Sequence, residues 1–380
     1  MRVEKLGNGL DARRYLRELG VDGGGVEILA SKMTHHLFYI RGMHVGAANI
    51  LKQDALSIGA DLAVPRGTVT AQLSHVDAIL IATQRQLLEL SRKEKAQPFG
   101  LKALAEELAR HAGGHRPGAT KIMGIVNAND DSFFAGSRFK DASALEAIER
   151  MIGEGADIID VGAVSSRPGS AAVSEAEELE RIKPIVDAIY EQKLYERALF
   201  SADTYMPKVA AYVLERGFKI INDITGLEND EVCRLCGSYG ATAVVMHMQG
   251  TPQSMQTDPR YEDLFGEITE FFEARLEKAE RFGVKDIVLD VGIGFGKSLE
   301  HNLKLIAQTE HFLKLGRPLL IGASRKSMID KIIPTPTEAR LPGTLVLHLK
   351  AVEQGAEIVR CHDVAAHKQA LAVSEALSRV

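Results

Sequence analysis

The sequence has few cysteines, no excess of basic residues and no long apolar run, and each absence excludes a class of protein. Its 380 residues include 3 cysteines, too few and odd in number for a disulfide framework, so we expect a reducing, cytoplasmic location. No apolar stretch approaches the roughly 18 residues of a membrane span. Lys and Arg total 46 against 51 Asp and Glu, a net charge of −5 that predicts neither a nucleic-acid partner nor a membrane-surface partner.

What is present is the composition of a globular protein with a large core. Apolar residues make up 45% and charged residues 26%. Residues 1–20 mix both charges and lack the apolar stretch of a secretory signal. Residues 111–120 read HAGGHRPGAT, and this density of glycine and proline predicts a linker. We therefore expect an N-terminal α/β domain over residues 1–115 and a larger domain over residues 118–380, which has the usual size of one α/β barrel.

The larger domain alternates between short β-branched runs and helical patterns. Eight runs predict strands, at residues 121–126, 157–161, 198–202, 219–221, 242–246, 287–289, 318–321 and 357–359. A helical pattern follows each run, and glycines come directly after several of these patterns, where a left-handed C-cap is wanted. This strict alternation favours a closed (β/α)8 TIM barrel, of the α/β class. An open doubly wound sheet stays an alternative, because one sequence does not give the strand order.

Polar residues follow the predicted strands, at the end where an α/β barrel builds its active site. They are Asn127, Ser166 and Arg167, Asp203, Asn222 and Asp223, His247, Asp290, residues 324–326, and Arg360 with His362. Any single polar residue at such a position is usually a cap or a loop residue. Because all eight strand ends are polar, we expect one shared site.

Two kinds of side chain meet at this predicted site. Asp203, Asn222 and Asp290 offer carboxylate and amide groups, which a flat heterocycle with amino and ring N–H groups could satisfy. The basic residues are suited to phosphate oxygens, and they are Arg167, Lys326, Arg360 and His362. The alternative interpretation pairs these basic residues with the aspartates as salt bridges, which explains the charges but not their shared location.

The run DVGIGFGKS at residues 290–298 looks like a phosphate loop but lacks the required spacing. Val291 stands where a P-loop needs its first glycine, so we expect a tight backbone turn over the barrel with Phe295 as a side wall. Residues 324–327, SRKS, end the seventh strand and begin a helix. Free N–H groups at that helix start attract an anion such as a carboxylate. Lys326 could equally be a solvated lysine on residue type alone.

Eight segments resemble the dihydropteroate synthase family in order and spacing, and together they cover essentially all of residues 121–380. They are KIMGIVNANDDSF (121–133), GADIIDVGAVSSRPG (155–169), SADT (201–204), INDITGL (221–227), VMHMQGTPQSMQ (245–256), IVLDVGIGFGKSLEHN (287–302), GASRKSMI (322–329) and IVRCHDV (358–364). The resemblance implies a barrel that binds 6-hydroxymethyl-7,8-dihydropterin pyrophosphate with Mg²⁺ and condenses it with para-aminobenzoate. It also implies a homodimer. Early loss of pyrophosphate would leave a cation on the pterin, so the reaction needs positioning and charge stabilisation more than a strong base.

The same resemblance assigns roles to individual residues. The hydrogen-bonding groups for the pterin would be Asp203, Asn222, Asp290 and Lys326. The pterin would lie between Ile224, Met246, Phe295, Gly322 and Arg360. The pyrophosphate would be bound by Asn127, Arg167, Arg360 and His362. The para-aminobenzoate would contact Ser166, Arg167, Pro168 and Ser327. The residues with catalytic roles would be Asp203, Lys326, Arg360 and Asn127, of which Asn127 would also be the metal ligand.

The sequence departs from the family pattern at its loops. The usual Asn-x-Thr-Pro-Asp-Ser-Phe has Asn129 and Asp130 in place of its threonine and proline. In the second loop Val164 replaces a glutamate and Ser166 a threonine, and Val291 replaces the proline of Asp-Pro-Gly. We expect activity to survive these changes. Loss of the first-loop proline frees the backbone, so how tightly that loop closes over the second substrate is open.

Two other functions compete with the synthase interpretation. A folate-dependent methyltransferase with a corrinoid partner would share the pterin-edge residues but would not need the Ser-Arg-Lys run, the Arg-x-His of the last strand or the Ser-Arg-Pro-Gly loop. A catalytically silent pterin-binding module would explain the altered first loop. Retention of the basic residues and of Asn127 argues against that module.

The N-terminal region carries no nucleotide or metal signature. Apolar runs at residues 26–29, 37–40, 60–64 and 78–82, with helical patterns at 47–58 and 85–92, predict a small α/β fold of about four strands. Its role stays open: oligomerisation, packing on the barrel or covering the site. Cys233 and Cys236 form a CxxC without a second pair, inside a predicted helix, so we expect buried structural cysteines rather than a zinc site.

Overall fold

A computed structural model gives the fold of the chain. It describes residues 3, 6, 11–127, 138–164, 173–251, 254–255 and 257–378, with the backbone alone over residues 138–143. The chain divides into two compact units, one of Met1–Gly114 with Ser374–Val380 and the other of His115–Val373. None of the helices in this described part of the chain combines the length and the apolar character that crossing a bilayer requires.

The first unit is a small three-stranded sheet with helices. Its strands are β1 (His35–His44), β2 (Asp61–Ala63) and β3 (His75–Thr83), antiparallel in the order β1-β3-β2. Its helices are α1 (Ala12–Glu18), α2 (Gly23–Met33), α3 (Val45–Ser57), α4 (Gln84–Lys93) and α5 (Leu101–Gly113). Alternate residues of β3 are buried, as a sheet with one covered face requires. The core between sheet and helices includes Leu51, Leu62, Leu80, Leu87 and Leu108.

The prediction of about four strands in this unit was wrong by one. Residues 26–29 lie in helix α2, whose buried residues are Val26 and Ala30, four positions apart on one helix face. A four-residue apolar run fits one turn of a helix as well as a short strand, so periodicity did not separate the two. The linker begins later than the predicted residue 111, because helix α5 continues to Gly113.

The second unit is the closed parallel barrel that the sequence predicts. Its strands are β4 (Lys121–Asn127), β5 (Ile158–Gly162), β6 (Leu199–Asp203), β7 (Ile220–Asp223), β8 (Thr242–Met246), β9 (Ile287–Asp290), β10 (Leu319–Ile321) and β11 (Ile358–Cys361). Each strand pairs in parallel with its neighbours in chain order, and β11 pairs with β4 to close the ring. The open doubly wound alternative is therefore excluded.

Helices separate the strands and cover the outside of the barrel. They are α6 (Arg138–Gly153), α7 (Glu175–Glu191), α8 (Pro207–Leu214), α9 (Asp230–Tyr239), α10 (Leu264–Arg281), α11 (Leu299–Ala307), α12 (Ser327–Ile332), α13 (Leu341–Glu353) and α14 (Val364–Ser378). Cys233 and Cys236 are free and buried inside α9, as predicted. Cys361 is also free and buried, on β11.

The barrel interior is filled by one layer of apolar side chains. Seven strands contribute one buried residue each, and these are Met123, Ile158, Ile220, Val244, Val288, Leu320 and Ile358. Side chains alternate between the two faces of a strand, so the residues two positions further toward the carboxyl ends also point inward. Those positions are Ile125, Asp160, Asn222, Met246, Asp290, Gly322 and Arg360. Four of these seven residues are polar or charged, so the layer above the apolar plug carries the polar groups that form the floor of the barrel mouth.

Candidate active site

A network of buried hydrogen bonds centres on Arg360 of β11. Its Nε donates to Oδ2 of Asp160 at 2.6 Å, and its Nη2 donates to Oδ2 of Asp203 at 2.8 Å. Nδ2 of Asn222 donates to the same Oδ2 of Asp160 at 3.0 Å. Asp160 is fully buried, and its other oxygen, Oδ1, has no hydrogen-bond partner among the described residues. The guanidinium thus joins β11 to β5 and β6, and Asp160 extends the network to β7.

The network agrees with both interpretations of the basic residues. Arg360 forms the salt bridges of the alternative interpretation, and these salt bridges lie in the shared location that the site hypothesis requires. Asp160 was not among the predicted site residues. It was the one charged residue in the apolar run IIDVG, and that was the signal available.

Burial sets the electrostatics of the floor. It raises the pKa of Asp203, against the opposing charge of Arg360. It also raises the pKa of Asp290, against a hydrogen bond from Gly292 N to Oδ1 at 2.8 Å and the charge of Lys326. Burial opposes the charge of Arg360 too, but Asp160 and Asp203 hold its pKa above the usual value. The mouth is therefore a low-dielectric place in which a ligand's charge interacts strongly.

Lys326 lies in the loop after β10, the strand next to the one that ends at Asp290. Its Nζ lies 4.3 Å from the centre of the Phe295 ring and donates to the carbonyl oxygen of Ile293. Burial lowers the pKa of Lys326 to about 8, although Asp290 opposes the shift. Lys326 is thus a half-buried, hydrogen-bonded lysine and not a solvated one, and its role in the site stays a prediction.

The loop after β9 is a tight turn, as its glycines predict. Gly292 has φ +66°, and a Cβ there would lie 1.9 Å from the carbonyl oxygen of His247. Below this loop Lys297 is buried, with its Nζ 2.9 Å from Nδ1 of His247, 3.0 Å from O of Phe295 and 3.3 Å from O of His247. Burial lowers the pKa of Lys297 to about 7. Lys297 was not among the predicted site residues, since the run DVGIGFGKS that contains it lacks the P-loop spacing.

The remaining predicted residues fall into three groups. Those at the mouth are Asn127 at the end of β4, Met246 at the end of β8, and Ile224 and Gly322 directly after β7 and β10. Two lie beside the mouth: Nδ1 of His362 is 2.9 Å from Oγ of Ser324, and Ser327 begins α12. The others lie outside the described residues, and they are Ser166, Arg167, Pro168, Asn129 and Asp130. Of the two valines that depart from the family pattern, Val291 is fully buried and Val164 half-buried.

Comparison with known proteins identifies the family of the chain. The model of the family described as pterin binding enzyme matches residues 123–362. A dihydropteroate synthase of Escherichia coli is 40% identical over 67% of this chain and 90% of its own. The chain belongs to the dihydropteroate synthase family. Solved family members agree: that of Yersinia pestis, with a sulfonamide drug, has a TM-score of 0.63 and 36% identity over 68% of this chain and 94% of its own.

Two of the relatives also match the N-terminal unit. A protein of Helicobacter pylori named bifunctional dihydropteroate synthase/dihydropteroate reductase is 41% identical over 96% of this chain and 96% of its own. A probable bifunctional folylpolyglutamate synthase/dihydropteroate synthase of Halobacterium salinarum likewise covers 96% of this chain, at 35% identity, but only 46% of its own length. The N-terminal unit thus occurs in relatives with different second activities in their names.

Proposed function

We propose that this chain makes 7,8-dihydropteroate from 6-hydroxymethyl-7,8-dihydropterin pyrophosphate and para-aminobenzoate. The bond between the pterin methylene carbon and the pyrophosphate oxygen breaks, a bond from that carbon to the arylamine nitrogen forms, and the amine releases a proton. The observation that carries the proposal is the buried polar layer of the barrel mouth, in a chain of this family. A solved relative from Thermus thermophilus is a complex with 4-aminobenzoate, at 38% identity. The methyltransferase and silent-module alternatives are not favoured by these relatives.

The floor residues suit a pterin that becomes cationic. Asn222 and Asp290 offer acceptors and donors for its amino and ring N–H groups, and Lys326 offers a donor from the opposite side. Asp203 is the carboxylate placed to stabilise positive charge on the ring during loss of pyrophosphate. Arg360 is held by two aspartates, so its guanidinium plane is fixed before any ligand arrives, which reduces the ordering cost of binding.

Mg²⁺ would be held mainly by the pyrophosphate. Among the described residues no group of three or more His, Cys, Asp or Glu side chains could hold a metal ion. Mg²⁺ commonly keeps several waters and takes few protein ligands when phosphates are present, which fits a single amide oxygen from Asn127. When bound, the ion would neutralise the leaving pyrophosphate. Arg167, His362 and Arg360 would supply further charge to those oxygens, and Ser166, Pro168 and Ser327 would contact the benzoate.

We also propose that the protein is a cytoplasmic homodimer. Its three cysteines are free and buried, a state that a reducing compartment preserves. Light scattering coupled to gel filtration would test the dimer directly: a mass near 41.4 kDa would contradict it, and twice that mass would support it.

The synthase activity is tested by product formation. Purified protein is incubated with the pterin pyrophosphate, para-aminobenzoate and Mg²⁺, and dihydropteroate is identified by chromatography and mass. Omission of the metal serves as the control. Pterin binding without any product would contradict the synthase activity and return the methyltransferase and the silent module to consideration.

A second candidate activity is reduction of dihydropteroate. It is favoured by the Helicobacter relative, which aligns over the N-terminal unit as well as the barrel. The step would transfer a hydride and a proton to the pterin C=N bond, and a reduced nicotinamide or reduced flavin would be oxidised. Dihydropteroate and each donor are incubated with the full chain, and tetrahydropteroate is measured by mass. No product with either donor would assign the N-terminal unit another role.

A further inference from the structure

Two buried histidines form a hydrogen-bonded chain behind the barrel mouth. His348 lies on α13 and His367 on α14, and each is 1% exposed. Nε2 of His348 accepts from the backbone N–H of Ala323 at 2.9 Å. Nδ1 of His348 is 2.8 Å from Nε2 of His367, and Nδ1 of His367 is 2.7 Å from the carbonyl oxygen of Asp363.

These contacts allow a single arrangement of protons. The Ala323 N–H can only donate, so Nε2 of His348 is a bare acceptor and the ring proton is on Nδ1. That proton is donated to Nε2 of His367, whose own ring proton must then be on Nδ1. The second proton is donated to the carbonyl of Asp363, which can only accept. Burial lowers the pKa of both rings, which keeps them neutral as this chain requires.

The two ends of this hydrogen-bonded chain lie in the loops after β10 and β11, close in sequence to Lys326 and Arg360. Ala323 follows β10, three positions before Lys326, and Asp363 follows β11, three positions after Arg360. The same loops are joined by Arg325, whose Nε and Nη2 donate to the two carboxylate oxygens of Asp363 at 2.9 and 2.6 Å.

Helix α13 also contacts the loop after β10 at a second point. The hydroxyl oxygen of Thr344, one helical turn before His348, accepts from the backbone N–H of Arg325 at 2.9 Å. Arg325 has φ +54°, an unfavourable backbone conformation for a side chain of this kind, so outside contacts are needed to maintain it. The loop geometry that places Lys326 therefore depends on neighbours on α13.

We propose that His348 and His367 are positioning residues for the synthase reaction, which hold the loop of Lys326 in place against the loop that follows Arg360 and β11, through a fixed pair of tautomers. This inference rests on the proposed function. Neither ring needs to touch a substrate. Their contribution is orientation, because displacing a charged group by about 1 Å at a reacting centre can cost on the order of 100-fold in rate.

The tautomers are tested without any assay of activity. Protein with ¹⁵N-labelled histidine is examined by NMR, and each signal is assigned by its loss in His348→Gln or His367→Gln. We expect both rings to be neutral Nδ1–H tautomers, with scalar coupling across the hydrogen bond between them. An Nε2–H tautomer at His348, or the absence of that coupling, would overturn the proposal.

The effect on catalysis is tested with three variants of α13. His348→Leu leaves the Ala323 N–H without its acceptor, whereas His348→Gln keeps an acceptor near the position of Nε2. Leu347→Ala removes a neighbouring buried side chain and leaves the hydrogen bonds of the two histidines in place, so it controls for lost stability. At matched fractions of folded protein, we expect kcat to fall about 10- to 100-fold in His348→Leu, to recover largely in His348→Gln, and to change little in Leu347→Ala. Equal kcat in the leucine and control variants would contradict the positioning role.

Failure of the proposed function can be told apart from failure of this inference. If wild-type protein makes no dihydropteroate, the synthase proposal fails. The variants are then compared by calorimetric binding of the pterin pyrophosphate, with weaker binding in His348→Leu than in Leu347→Ala expected. If wild-type protein is active and all three variants match it, the inference about the histidines fails alone.

Discussion

Substitution of Asp160 by asparagine is a sharp test of the network at the barrel mouth. One oxygen of Asp160, Oδ2, accepts from both Arg360 and Asn222, and the other has no partner among the described residues. An asparagine can therefore place its single oxygen where both donors reach it, and its amide nitrogen where no contact is lost. The substitution removes the charge while it keeps the shape and the acceptor.

The expected loss of stability depends on which negative charges still neutralise Arg360 after the substitution. Removing one partner of a buried ion pair costs about 3–5 kcal/mol when the other charge is left uncompensated. Arg360 here keeps Asp203 at 2.8 Å, so its charge remains paired. The bond from Arg360 becomes one to a neutral oxygen, so we expect a smaller loss, about 1–2 kcal/mol in the free energy of unfolding. The pKa of Asp203 should also fall, since Asp160 is one of the negative charges that raise it.

Urea denaturation of both proteins at pH 7 measures this loss, with the midpoint and the slope fitted separately. Ser201→Ala is the matched control, because Ser201 pairs with Asp160 across β5 and β6 and its buried hydroxyl has no partner among the described residues. We expect the control to be neutral or slightly stabilising. An Asp160→Asn protein as stable as the control would refute the assignment of Asp160 as a counter-ion of Arg360.

Three further predictions follow from other parts of the molecule. Lys326→Ala should lower kcat/KM by a factor equivalent to about 2–3 kcal/mol of transition-state stabilisation. In the wild type kcat/KM should fall above a pH of about 8, where the lysine loses its proton, and the variant should lack this fall. Unchanged kinetics would remove Lys326 from the site. Gly292→Ala should abolish pterin binding measured by calorimetry, because its Cβ would lie 1.9 Å from a carbonyl oxygen, whereas Gly316→Ala, at φ +70° in open space, should bind normally. Burial and the charge of Asp54 raise the pKa of Glu94 to about 7, above its unfolded value, so ionisation of Glu94 destabilises the first unit increasingly as pH rises from 4.5 to 7. In denaturation experiments Glu94→Gln should raise the free energy of unfolding by about 2–3 kcal/mol at pH 8 and leave it unchanged at pH 4. Equal increases at both pH values would contradict this.

The barrel and much of its mouth could be predicted because they depend on local patterns. Alternating runs gave the strands, and polar residues after the strands pointed to Asp203, Asn222 and Asp290. Asp160 was missed because it lies within the predicted strand 157–161, whereas the other three follow the predicted ends of their strands. It becomes visible only when the inner layer at Ile158 is known and the period of two is counted from it.

The supporting residues could not be predicted from the sequence. Lys297 contacts His247, fifty positions earlier, and His348 contacts Ala323 and His367 on other elements. No spacing rule links such pairs, since the fold alone brings them together. In the first unit the error at residues 26–29 has a different cause, because a short apolar run carries too few periods to separate helix from strand.

The most direct test of the central claim is formation of dihydropteroate by the purified full chain. The protein is supplied with the pterin pyrophosphate, para-aminobenzoate and Mg²⁺, and product is measured by mass for wild-type protein and for Asp203→Ala. The account predicts metal-dependent product from the wild type and at least about a hundredfold less from the variant, since a group that stabilises developing charge is removed. Product formed equally by both proteins would contradict the site, and pterin binding without product in either would contradict the reaction.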